Sequence, residues 1–261
     1  MLINFKLAPL DTIAASAKPG QPGLNWFALT EGEYWIELGE STLFEYSEGT
    51  WPDGRRHCRY KVARLHEDLM GMLPSILEPV PASLVPYLSG ERAAACWEAW
   101  TSWCDRHAGE LGEGHALELE EALLALTSGR QHLAGYLAQP TRFVSWSDET
   151  NVHFAWDNRH DTMHGQQLWT AQYGQFHLAR RDFIEEVQTF HTRLMDQMAE
   201  RVEQVLAGAL SPEIRIDIDY LVREQARRYE AFHDALNQEA QTNWQIVEAA
   251  IEEIMAPAVV R

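Results

Sequence analysis

The feature that most limits how this chain can fold is a change of hydrophobic period at Asp182. Before it, residues 142–147 (RFVSWS) and 151–156 (NVHFAW) alternate large apolar and polar side chains around Asp148-Glu149-Thr150. That is the period of half-buried strands joined by a short turn. Residues 168–173 (LWTAQY) and 175–178 (QFHL) flank Gly174, which reads as a second tight turn. After Asp182, Phe183, Val187, Phe190, Leu194, Met198, Val202 and Leu206 recur every three or four residues up to Gly208. This is one apolar stripe on a helix with a glycine stop.

The same reading extends outward. Residues 2–7 (LINFKL) form a strand with Ile3, Phe5 and Leu7 on one face, and 16–25, with two prolines and two glycines, form a loop. Residues 34–38 and 42–46 flank a Gly39-Glu40-Ser41 turn, and apolar residues on both faces place this hairpin centrally. Residues 47–56 form a polar loop around Pro52-Asp53-Gly54. Helices are expected from Val62 to Ile76, over 91–107 with Trp97, Trp100 and Cys104 on one side, over 115–127, and over 130–138, with a break at 109–114. Ser211-Pro212-Glu213 has the pattern of an N-cap, a first-turn proline and an acidic first turn. A helix over 219–254, bent at the amide-rich 237–243, follows it. The expected fold is α+β and mostly α, in one domain over 1–261. An antiparallel sheet of four to six strands from residues 30–46 and 141–178 packs on one face against a helical insert (60–138) and a C-terminal helical region (180–256).

Charge narrows the functional classes. With 21 Lys and Arg against 39 Asp and Glu, the formal net charge is −18, which disfavours nucleic acid and anionic membranes as partners. No run approaches the roughly 20 apolar residues of a bilayer span, and the first residues (MLINFKLAPL) lack the pattern of a secretory signal. Cys58, Cys96 and Cys104 are read as free thiols of a cytoplasmic protein. Six acidic residues and no Lys or Arg lie between Tyr229 and Val260, and the segment 105–126 sets six acids against Arg106 alone. Such stretches serve solubility, or dock a cationic protein.

Sites for chemistry are sparse. His153, Asp157, His160, Asp161 and His164 cluster in sequence, and His160 and His164 are four apart, the helical spacing of a zinc pair. No Glu follows His160, and the polar stretch reads more simply as a solvated loop, so neither metal nor cofactor is expected. Cys58 follows His57 among Arg55, Arg56 and Arg59, which would favour a thiolate. Adjacent residues seldom hold a nucleophile and its base in working geometry, so catalysis there is not expected. Trp97, Trp100, Trp103, Trp146, Trp156 and Trp169 are read as core, with an aromatic ligand pocket as the alternative.

Ile3–Leu7 (INFKL), Trp26–Ile36 (WFALTEGEYWI), Phe44–Ser47 (FEYS), Val62–Leu69 (VARLHEDL) and Leu77–Pro81 (LEPVP) resemble an uncharacterised bacterial domain family. Val152–Asp157 (VHFAWD), Trp169–Gly174 (WTAQYG) and Phe183–Phe190 (FIEEVQTF) continue the match, which spans roughly residues 1–205. These motifs are aromatic and apolar and identify a fold rather than a site; the resemblance implies bacterial origin and carries no reaction. By a looser analogy, small acidic bacterial proteins of this style are similar to immunity proteins that neutralise toxins. The expected function is therefore occlusion of a cognate basic toxin, with Glu230, Asp234, Glu248, Glu252 and Glu253 as contacts. The alternatives are an enzyme or ligand-binding protein using the 153–164 loop and a tryptophan pocket, or a scaffold that homodimerises through the C-terminal helix.

Overall fold

The computed structural model describes residues 1–14, 16–18, 21–107, 113–137 and 140–256. The chain runs β1 (Leu2–Leu7), β2 (Ser16–Lys18), β3 (Gln21–Gly23), β4 (Glu31–Leu38), β5 (Ser41–Leu43), β6 (Cys58–Lys61), α1 (Val62–Leu77), α2 (Gly90–His107), α3 (Glu113–Thr127) and β7 (Gln131–His132). It continues with β8 (Phe143–Ser147), β9 (Asn151–Asp157), β10 (Thr162–Met163), β11 (Gln166–Gln167), β12 (Tyr173–Ala179), α4 (Arg180–Leu206), α5 (Ile218–Tyr229), α6 (Ala231–Asn237) and α7 (Trp244–Met255). The fold is α+β with antiparallel sheets: two are four-stranded, and β2–β3 and β10–β11 form separate two-stranded pairs. In one four-stranded sheet, β4 lies between β1 and the pair β5 and β6; the other has the order β12-β9-β8-β7.

The second sheet is the middle layer. Phe143, Val152, Phe154 and Trp156 face a core shared with the first sheet, α1 and α4. Val144, Trp146 and Ala155 face a second core with α2, α3 and α7. Helices therefore cover both faces of this sheet, not one. All five residues of β8 are buried, because Val144 and Trp146 face the second core while Ser145 and Ser147, on the side its alternation assigns to solvent, share the Phe143 face beside α1.

Helix α4 follows its stripe up to Val202, then buries Val205 and leaves Leu206 52% exposed. Gly208 ends it in the left-handed region (φ 84°). Arg201 donates to the carbonyls of Leu29 (2.6 Å) and Ala8, while Glu186 accepts from the Ile3 amide (2.7 Å). These bonds join α4 to the first sheet.

Several expectations fail for identifiable reasons. Gly174 is no turn but the second residue of β12; a Cβ there would stand 2.4 Å from Trp156 Cζ2, so glycine serves close approach of the indole. No helix spans 130–137. Gly129 (φ 74°) ends α3, the Arg130 guanidinium turns back to the carbonyl of Ala125 (3.0 Å), and Gln131 and His132 pair with β8; residues 138–139 lie outside those described. Ser211-Pro212-Glu213 begins a turn, because Ile214 and Ile216 pack against the core in extended chain. The N-cap is Asp217, which accepts from the Tyr220 amide at 2.9 Å. The C-terminal helix is broken at Glu230 as well as over 238–243. The break expected at 109–114 falls mostly on undescribed residues.

Two polar nodes sit inside these layers. Arg130, 1% exposed, donates to Glu78 Oε2 at 2.7 Å, and Glu78 also accepts from the amide and hydroxyl of Thr242. In the other node, His191 Nε2 lies 3.0 Å from the Tyr229 carbonyl, an acceptor, so this nitrogen carries the proton. His191 Nδ1 is then the acceptor for His66 Nε2 at 2.9 Å. Burial, followed by the charges of His191 and Arg228, lowers the His66 pKa to about 3, and burial also lowers that of His191.

Two outcomes are expected. Gly174→Ala should destabilise by about 1–3 kcal/mol through overpacking against Trp156, measured by urea unfolding. The unfolded chain protonates histidine near pH 6.5 while folded His66 resists, so folding loses stability as pH falls below 6.5. Its share of that loss approaches about 1.4 kcal/mol per pH unit. His66→Gln should flatten the pH dependence of the urea midpoint between pH 4 and 6.5; an unchanged slope would contradict the assignment.

Candidate functional site

The His/Asp stretch does not form a helix. Strands β10 and β11 make a hairpin whose turn, His164-Gly165, has both residues at positive φ (52° and 77°), the mirror-image turn such two-residue hairpins favour. The four-residue spacing of His160 and His164 therefore carries no helical geometry, and both side chains are exposed. Asp157 binds Arg159 (2.6 Å), which lies over Tyr173; Asp161 lies 3.4 Å from Arg142; and His153 meets Asp148 at 2.7 Å. The bond from His153, with amides of the turn, holds the Asp148 carboxyl well below the usual range. Among the described residues no three or more His, Cys, Asp and Glu side chains assemble a metal site.

The Cys58 thiol is buried in the core, where burial pushes its pKa up to about 11. Arg55 is drawn instead to Asp53 and the Trp51 ring, and Arg56 to Glu45. His57 stacks on Trp35 at 3.9 Å. Tyr34, Tyr46 and the Arg55 charge pull toward the thiolate, but burial outweighs them. All three cysteines are free. Of the weighed tryptophans, Trp103, Trp146, Trp156 and Trp169 are buried, Trp100 is half-buried, and Trp97 is 38% exposed, so α2 buries Cys96 and Trp103 rather than the Trp97 side.

The acidic residues give a more coherent surface. Helix α7 packs beside α3 in the second core, bringing together two acid-rich segments far apart in sequence. Neither helix contains Lys or Arg. Glu118, Glu120, Glu121, Glu252 and Glu253 are exposed on this pair, as are Leu117, Leu124, Ile246 and Met255. The five contact candidates separate: Glu248 is half-buried and accepts from Ser83 Oγ (2.5 Å), and Glu253 meets His115 Nε2 (2.9 Å). Glu252 faces solvent, and Glu230 and Asp234 are exposed elsewhere, on the α5–α6 segment beside exposed Tyr229 and Leu236.

Two features escaped the sequence reading. His115 bridges the helices, with Nδ1 3.6 Å from Glu118 and Nε2 on Glu253. Its pKa is raised, chiefly by the bond to Glu253. His132 and Asp68, 64 residues apart, meet beside a cavity; only the strand pairing that replaces the expected 130–138 helix reveals this. Among the described residues no helix is long and apolar enough to cross a membrane.

Because the folded pKa of His115 is raised, its bridge is complete below pH 6.5 and is lost as pH rises through the folded value. Following the His115 ring by NMR should show titration above 6.5 and a return toward 6.5 in Glu253→Gln; identical titration in both proteins would refute the bridge.

Comparison with curated proteins and with solved structures returns no significant match to either. A family model described as a family of unknown function, DUF5984, matches residues 2–250. The match takes in both four-stranded sheets, the first core and all of α3, and ends inside α7 before Glu252 and Glu253; the chain belongs to this family.

Proposed function

We propose that this protein acts by binding rather than by bond-making, as a cytoplasmic immunity-type protein that occludes a basic protein partner through the α3–α7 surface. The observation that carries the reading is the side-by-side packing of two acid-rich helices that contain no Lys or Arg and expose apolar side chains as well as carboxylates. An interface needs apolar contacts for affinity, and charge of one sign speeds encounter and rejects like-charged partners. Against a toxin that holds a polyanionic substrate in a cationic cleft, such a face competes for the same cations.

Glu118, Glu120, Glu121 and Glu252 are the principal contacts in this reading, with Leu117, Leu124 and Ile246 as apolar anchors. Glu248 and Glu253 hold α7 in place through Ser83 and His115. Glu230 and Asp234, beside Tyr229, extend the contact where the partner is large.

The product of the gene beside this one is the partner to test. Immobilised protein should capture it at low ionic strength, with association slowing steeply as salt rises. Reversing Glu120, Glu121 and Glu252 together to Lys should lower the association rate by about tenfold or more with the fold intact. No capture at low salt, or capture indifferent to the reversal, would sink the proposal.

A further inference from the structure

A cavity of about 610 Å³ opens between α1 and the segment that follows α3, within the size range of small-ligand sites. His132, 1% exposed, lines it. Its ring stacks on Phe143 (4.9 Å, 6° between planes) and meets the edge of Phe44 at 5.5 Å. Neither ring nitrogen makes a hydrogen bond within the described residues, an expensive state for a buried imidazole. Nε2 lies 3.2 Å from Asp68 Oδ2 without the alignment of a hydrogen bond. Asp68 accepts no hydrogen bond among the described residues; the Arg64 guanidinium lies 3.7 Å away, 3.5 Å from Glu67 and 5.4 Å above the Tyr136 ring.

Gly71 adds an independent observation. It sits in the middle of α1 on the cavity wall, where glycine is less favourable than alanine, yet a Cβ there would meet nothing within 4 Å. Gly71 is exposed at the mouth of the cavity, and a longer side chain there would project into the open space.

We propose that this cavity binds an organic cation, a primary ammonium or guanidinium group, hydrogen-bonded to Asp68 and to His132 Nε2 and lying over the Tyr136 ring. The groups without a hydrogen bond are the Asp68 carboxylate and both His132 nitrogens; the carboxylate accepts N–H donors, and so does Nε2 in the tautomer that carries its proton on Nδ1. The aromatic wall favours positive charge. Glu67 and Asp68 on the same wall repel an anion that would approach Arg64. Arg64, loosely held by both carboxylates, is the chain's own cation at this place and gives way to the ligand. The source is a free small amine or the side chain of a Lys or Arg on another protein. The inference does not rest on the acidic α3–α7 face.

Full-length protein titrated with methylguanidine, n-butylamine, capped arginine amide and capped lysine amide, with butyrate as the anionic control, tests this by calorimetry and by NMR of the His132 ring. Saturable binding of at least one cation and none of butyrate is expected. Asp68→Asn should weaken binding about tenfold, and Gly71→Leu should block it. Arg64→Ala should tighten it by removing the competing cation. His132→Ala risks unfolding, so these exposed or half-buried positions carry the test, with urea midpoints confirming the fold. Reversal of Glu120, Glu121 and Glu252 should leave it unchanged. Equal binding of the free amines and the capped residues indicates a small-molecule source; binding of the capped residues alone indicates a side chain of another protein. No saturable cation binding, equal binding of butyrate, or weakening by Arg64→Ala overturns the proposal.

Discussion

The arrangement of layers depends on one buried ion pair. Arg130 has its guanidinium almost wholly removed from water, so it must be matched, and Glu78 at the end of α1 matches it. Glu78 also accepts both bonds from Thr242, just before α7, while Arg130 lies over the Trp244 ring and holds the last carbonyls of α3. A single carboxylate thus fixes three helix ends drawn from both cores. Removing either partner strands a charge in the interior, a loss of about 3–5 kcal/mol.

This node explains how the second sheet comes to be covered on both faces. Helix α1 belongs to the first core, whereas α3 and α7 belong to the second. With their ends joined at Glu78, β8 has no solvent side left. The joined ends also leave α3 and α7 side by side, which concentrates negative charge on one surface.

Carboxylates in this chain divide into two kinds. Glu78, Glu186, Glu248 and Glu253 bond to partners elsewhere on the chain and hold elements together. Glu120, Glu121 and Glu252 face solvent on α3 and α7, in a chain whose net charge of −18 repels itself. Self-repulsion of that kind lowers stability modestly, and a cationic partner relieves it.

Much of the fold was legible. The β8–β9 hairpin, the β4–β5 turn, α1 and the α4 stripe follow from local periodicity, because each buries one face against whatever lies opposite. Charge was equally legible as composition, and it narrowed the partner class. Gly174 was misread because glycine permits positive φ and also close approach, and only the neighbouring Trp156 shows which is in use. Residues 130–137 were misread because His132 is held by β8 and by Phe143, partners invisible to a local pattern. Glu248 and Glu253 appeared equivalent to Glu252 until Ser83 and His115 took them. The sequence by itself determined the elements with a clear local period, the family and the excess of negative charge, since these depend on neighbours in the chain. Which acids face solvent, and that Asp68 and His132 share a cavity, was decided by tertiary structure, because contacts between distant residues arise only when the layers close.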